Sequence, residues 1–151
     1  MGVHMRRYAL TASLTFLFLY SVALPLLAHH SFEAEFNGDK LLTFTGVLTK
    51  LEWQNPHGWF YLDVKDDKGN VTNWAFEIAA PNVLVRFDEN IRRYFLENQG
   101  KPMSVAASPA RNGTNKGAAD KVKFMDGRIM PMGSKRYHGD LDSEQILKAL
   151  K

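Results

Sequence analysis

His29, His30 and His57 are the residues of this chain whose types and spacing best suit metal chemistry. If the chain is cut after Ala28, His29 becomes its first residue, and a terminal histidine offers one ion both its α-amine and a ring nitrogen. One further imidazole, from His30 or His57, completes a three-nitrogen set of the kind that suits copper(II). The competing reading is a solvated terminus that scavenges metal without a biological role.

His57 lies in the most distinctive local segment, Glu52-Trp53-Gln54-Asn55-Pro56-His57-Gly58-Trp59. A turn between two strands would hold its imidazole on a rigid scaffold. The plainer account is that Asn55 and Pro56 set the turn while His57 bonds to backbone. The same segment allows a site without metal, in which Trp53, Asn55, Trp59 and Tyr61 form a rim that recognises a protein or a small molecule. Met103, Met125, Met130 and Met132 offer thioethers suited to copper(I), although methionine also serves as core filler.

Other chemistries find little support. The chain has no cysteine, which excludes thiolate metal sites, thiol catalysis and disulfides. Glu33, Glu35, Glu52, Asp63 and Glu77 show no spacing that implies paired acid and base, and alternation along its strand points Glu77 outward. No serine stands in a nucleophile elbow, and the glycines around Asn112 make no phosphate loop. An enzyme is not expected. The formal net charge of +3 falls to +1 once Arg6 and Arg7 are removed with a leader, so charge gives no reason to expect nucleic-acid binding.

That leader is expected at residues 1–28. Arg6-Arg7 are followed by an apolar stretch through Leu14, Phe16, Leu17, Phe18 and Leu19, then Pro25 and the small Ala28, the three-part pattern of a secretory signal. An uncleaved anchor from Tyr8 to Leu27 is the alternative, and only in that case would the chain touch a membrane. The mature chain, residues 29–151, is long enough for one domain with a core of its own.

Strands are expected at Leu42–Trp53, Trp59–Lys65 and Val71–Ile78, from their alternation and their Val, Thr and aromatic content. Gly46 suggests a bulge or bend, and Asp66 to Asn70 a hairpin loop with Gly69 at positive φ. Pro81 opens a helical pattern over Asn82–Asn98 that carries Val83, Leu84, Phe87, Ile91, Tyr94 and Phe95 on one face, with a possible division at Asp88-Glu89-Asn90. Met103–Ser108 reads as a fourth strand, Pro109–Asp120 as a polar loop and Lys121–Met125 as a fifth strand. After the Asp126-Gly127 turn, Arg128–Met132 returns as a short sixth. Asp142 and Gln145 start a C-terminal helix with Leu141, Ile146, Leu147 and Leu150 as its apolar residues. Three strands, a helix and two or more further strands is the order of a small five- to six-stranded oligonucleotide/oligosaccharide-binding (OB)-like antiparallel barrel. An open sheet with one helix across it would read the same, and closure is preferred because it removes the exposed edges.

With His29-His30-Ser31-Phe32, Gly46-Val47, Glu52 through His57, Tyr61 through Val64, Trp74, Glu77 and Pro81-Asn82, the chain resembles a family of uncharacterised bacterial exported proteins. That family has a His-His-Ser-Phe start and a Trp-x-Asn-Pro-His motif. Pro109 through Gly113 and Asp126-Gly127-Arg128 continue the likeness. Between Val85 and Lys101 the chain departs from the pattern, which has a Gly-Trp step and a Lys-Pro-Gly turn there. The resemblance implies a periplasmic location in a Gram-negative envelope and supplies no activity.

Overall fold

The computed structural model describes residues 32–133. The expected leader, His29 and His30, and the expected C-terminal helix lie outside the described residues. Six strands carry the fold: β1 (Leu42–Glu52), β2 (Gly58–Lys65), β3 (Val71–Ile78), β4 (Pro102–Pro109), β5 (Lys116–Phe124) and β6 (Ile129–Pro131). Short helices precede β1 (α1, Phe32–Glu35) and separate β3 from β4 (α2, Pro81–Leu84; α3, Ile91–Glu97).

β1, β2 and β3 form the expected antiparallel meander, and β1 also pairs with β4 on its other edge. β4 pairs with β5, and the start of β5 returns parallel to β3 through Ala75·Lys116, Phe76·Gly117 and Glu77·Ala118. That pairing closes a five-stranded barrel in the OB order, and β6 extends the far end of β5. Closure satisfies the ladder groups that an open sheet would leave at its edges.

The first strand shows how one sequence serves two faces. Phe44 and Leu48 pack inward, and so do Leu51 and Trp53, although strict alternation would set these pairs on opposite faces. A register shift between Leu48 and Lys50 absorbs Thr49 as an extra residue, and the inward parity changes there. The bulge is therefore at Thr49 and not at Gly46. Gly46 has a different task, because a Cβ there would lie 2.5 Å from the Asp63 carbonyl oxygen.

The second correction concerns the loop expected over Pro109–Asp120. Its last five residues, Lys116 to Asp120, are already strand, since β5 begins at Lys116. Gly117, Ala118 and Ala119 have weak strand propensity, yet small side chains are what the closure needs. A Cβ on Gly117 would meet the Phe76 ring at 3.2 Å, and Ala118 and Ala119 are buried.

The core runs through Leu48, Phe60, Leu62, Phe76, Ile78, Val105, Val122 and Phe124. The helical segment divides as its Asp88-Glu89-Asn90 cluster suggested: Asp88 accepts the Asn90 N–H through its carboxylate and the Ile91 N–H through its carbonyl. Leu84, Ile91 and Phe95 are buried against the barrel, with the Phe95 ring 5.4 Å from Phe60 and 5.2 Å from Phe124. Phe87, expected on the same apolar face, is exposed, because α2 ends at Leu84 and Phe87 lies in the turn that follows it.

Candidate functional site

The turn between β1 and β2 ends at His57, and β2 then runs antiparallel to β3 with Trp59 opposite Glu77 and Gly58 opposite Ile78. Ile78 is buried in the core, so Glu77 and Trp59 belong to the outer face, as the alternation on β3 predicts. Glu52 of β1 stands on the other side of Trp59. The outer face thus carries a Glu52–Trp59–Glu77 row across three strands.

His57 joins this row diagonally. Its Nδ1 is 3.0 Å from Glu77 Oε1, and its side chain remains 52% exposed while that of Glu77 is 15% exposed. A sheltered carboxylate that accepts a hydrogen bond from Nδ1–H fixes the ring tautomer and its orientation, and Nε2 becomes the nitrogen available to a ligand. This carboxylate–imidazole pairing is the arrangement that supports metal-binding histidines. Among the described residues no group of three His, Cys, Asp or Glu side chains could hold a metal ion.

Beside it, Tyr61 and Lys50 occupy the next outward positions on β2 and β1. Tyr61 Oη donates to Glu52 at 3.1 Å, Lys50 bonds to the same carboxylate, and the Lys50 ammonium lies 5.2 Å from the Tyr61 ring centre. The bond from Lys50, followed by that from Tyr61, holds the Glu52 carboxyl below its ordinary range. Desolvation, then the bond to Glu52, raises the Tyr61 phenol. This cluster is internally satisfied, so Glu52 stays ionised and committed to its neighbours.

The residues of the aromatic rim are distributed over both faces. Trp53 packs against the core, Trp59 packs against a separate outer cluster of Phe32, Phe36, Ala110 and Ala118, and Tyr61 belongs to the Glu52 network. The Lys116 ammonium lies 5.7 Å from the Trp59 ring centre, and Asn55 is exposed in the turn. Met103, Met130 and Met132 are buried in the core whereas Met125 is exposed, so these thioethers do not share one setting.

Sequence reasoning set Glu77 aside as one of several scattered carboxylates. The signal that identifies it is the hairpin register. Counting back from the Lys65·Val71 pair that flanks the Asp66–Asn70 loop puts Trp59 opposite Glu77, and His57 one diagonal step away.

Barrel and site together define a class: a small cysteine-free β-barrel protein with a carboxylate-supported histidine on its outer face. The chain belongs to the family of unknown function DUF6152, whose model matches residues 17–119 and so includes the His57 turn and Glu77. No curated protein and no solved structure matches the chain.

Proposed function

We propose that this protein is a periplasmic copper-binding module. One copper(II) ion is held by the α-amine and imidazole of His29 and by Nε2 of His57, with His30 as the alternative imidazole. The observation that carries the reading is the His57–Glu77 pair, which orients a half-exposed imidazole on the outer face that also carries Trp59. Amine and imidazole nitrogens match the preference of copper(II), and the leader pattern, together with the likeness to exported bacterial proteins, supplies the periplasmic setting.

The test is calorimetric titration of copper into protein whose first residue is His29, prepared without an affinity tag. One ion per chain is expected, and a single added residue before His29 should weaken binding by about 100-fold or more, since it removes the amine from the ligand set. Equal affinity in the extended protein would falsify the proposal. Mass spectrometry of the exported protein provides a separate check, because a retained leader leaves His29 without a free amine.

Glu77→Gln tests the supporting carboxylate. It keeps an acceptor for His57 Nδ1 and removes the charge, and copper affinity should fall by about tenfold, the lower end of the range for such outer partners. Unchanged affinity would show that the carboxylate does not tune the imidazole.

A further inference from the structure

In Phe32-Glu33-Ala34-Glu35-Phe36 two phenylalanines stand four residues apart, so one helical turn puts both on the same side. Their rings, 5.6 Å apart, pack with Ala110, Ala118 and Trp59 outside the barrel. Arg111 clamps the turn in place. Its Nε donates to Glu33 O at 2.7 Å and to Phe36 O at 3.1 Å, its Nη2 to Glu33 Oε2 at 3.2 Å, and its backbone N–H to Glu35 O at 2.9 Å. The Asn37 N–H donates to Pro109 O. Residues 32–37 therefore form a strap with two glutamates and no basic residue, laid in an apolar groove flanked by Arg111 and Lys116.

The groove is better built than its occupant is held. A single helical turn has no stability of its own. The ion pair that clamps it is open to water, with the Arg111 and Glu33 side chains 43% and 56% exposed, and solvent screens such pairs. Ser108 stands opposite Ala118 on the covered face and is 1% exposed, yet its Oγ has no hydrogen-bond partner among the described residues, and neither does the buried Oδ1 of Asn37. Sealing polar atoms without partners opposes docking. The floor, by contrast, belongs to the barrel: Trp59 lies on β2, Ala118 on β5, and Ala110 donates its N–H to Lys116 O at 2.9 Å. The Lys116 ammonium faces the Trp59 ring and forms no ion pair among the described residues, so it is open to further acidic charge.

We infer that this groove is a docking site for an acidic helical segment of a partner protein with bulky apolar residues four positions apart, and that the strap fills it in the free protein as an intramolecular competitor. The inference is independent of the copper reading. A tethered strap acts at an effective concentration on the order of millimolar, so a partner displaces it through contacts the strap lacks, with Lys116 and with Ser108 Oγ. The probe is a labelled peptide of the strap's own sequence, Phe-Glu-Ala-Glu-Phe-Asn-Gly with an amidated end, titrated into the full chain by fluorescence anisotropy. In the variant carrying Phe32→Ala and Phe36→Ala the strap no longer fills the groove, and the peptide should bind about tenfold or more tighter than to the wild type. Adding Arg111→Ala to that variant should weaken binding by about tenfold or more. A peptide with lysine in place of both glutamates should lose a similar factor. No binding to the released variant, equal binding to variant and wild type, or indifference to Arg111 and to the charge of the peptide overturns the inference. Circular dichroism checks that each variant keeps its barrel. Should the released variant fail to fold, native-state hydrogen exchange of the unmutated chain decides whether the strap is displaceable. The amides of Phe36, Asn37 and Arg111 should exchange about tenfold or more faster than those of Leu62 and Phe76, and equal protection overturns the inference.

Discussion

Phe76→Ala should destabilise the protein by about 3–5 kcal/mol, with a fall in melting temperature on the order of 15–30 °C. The Phe76 ring is centred 5.2 Å from Phe44, 5.3 Å from Phe60 and 6.2 Å from Trp74, and Phe76 pairs with Gly117, where an added Cβ would meet its ring at 3.2 Å. It links β1, β2, β3 and β5 at the one parallel contact of the barrel. Truncation loses the transfer energy of the ring and leaves a cavity that Gly117, with no side chain, cannot fill. Total stabilities of small domains run to about 5–15 kcal/mol, so the loss is a large share of the whole. Denaturant titration followed by circular dichroism measures it. A loss under about 1 kcal/mol would mean that closure does not depend on this residue. The site would feel the change too, because Glu77 follows Phe76 and pairs with Ala118 in the same closing contact.

The second large effect is expected at Gly46. Replacing glycine with alanine ordinarily stabilises by about 0.4–1 kcal/mol, because the unfolded chain loses freedom. Here the added Cβ would stand 2.5 Å from the carbonyl oxygen of Asp63 and 2.9 Å from its carbonyl carbon. Those atoms are the backbone of the adjacent strand, and β1 is paired on its other edge with β4, so neither strand is free to withdraw. Crowding of this kind costs about 1–3 kcal/mol and outweighs the entropic gain. Gly46→Ala should therefore lower the denaturation midpoint, and a stabilised variant would show that the strands separate more easily than the geometry implies.

Much of the barrel was legible because its signals are local. The Asp66–Asn70 loop announced its hairpin, since Asp66 accepts from the Lys68 and Asn70 N–H groups and Gly69 takes φ 88°. The inward residues Phe60 and Leu62 followed from simple alternation. What escaped depended on distant partners. Ala118 and Ala119 look like loop residues in isolation and become strand through their pairing, Ala118 with Glu77 and Ser108 and Ala119 with Ala107. The bulge at Thr49 was hidden for a similar reason: apolar residues of both parities resolve into one inward face only when β2 is laid alongside. Among the site residues, His57 was singled out by its own chemistry, whereas Glu77 and Arg111 acquire roles only from what they touch.

Composition and short-range pattern thus decided the strand inventory, the order of elements, the freedom from thiol chemistry and the choice of His57. Strand closure, the partner of His57 and the clamp on the first described segment came from contacts between residues far apart in the chain. The physical reason is that alternation, turn propensity and side-chain chemistry are properties of neighbours in sequence. A parallel closing contact, a diagonal carboxylate–imidazole contact and a guanidinium reaching across 78 positions exist only after the chain has folded.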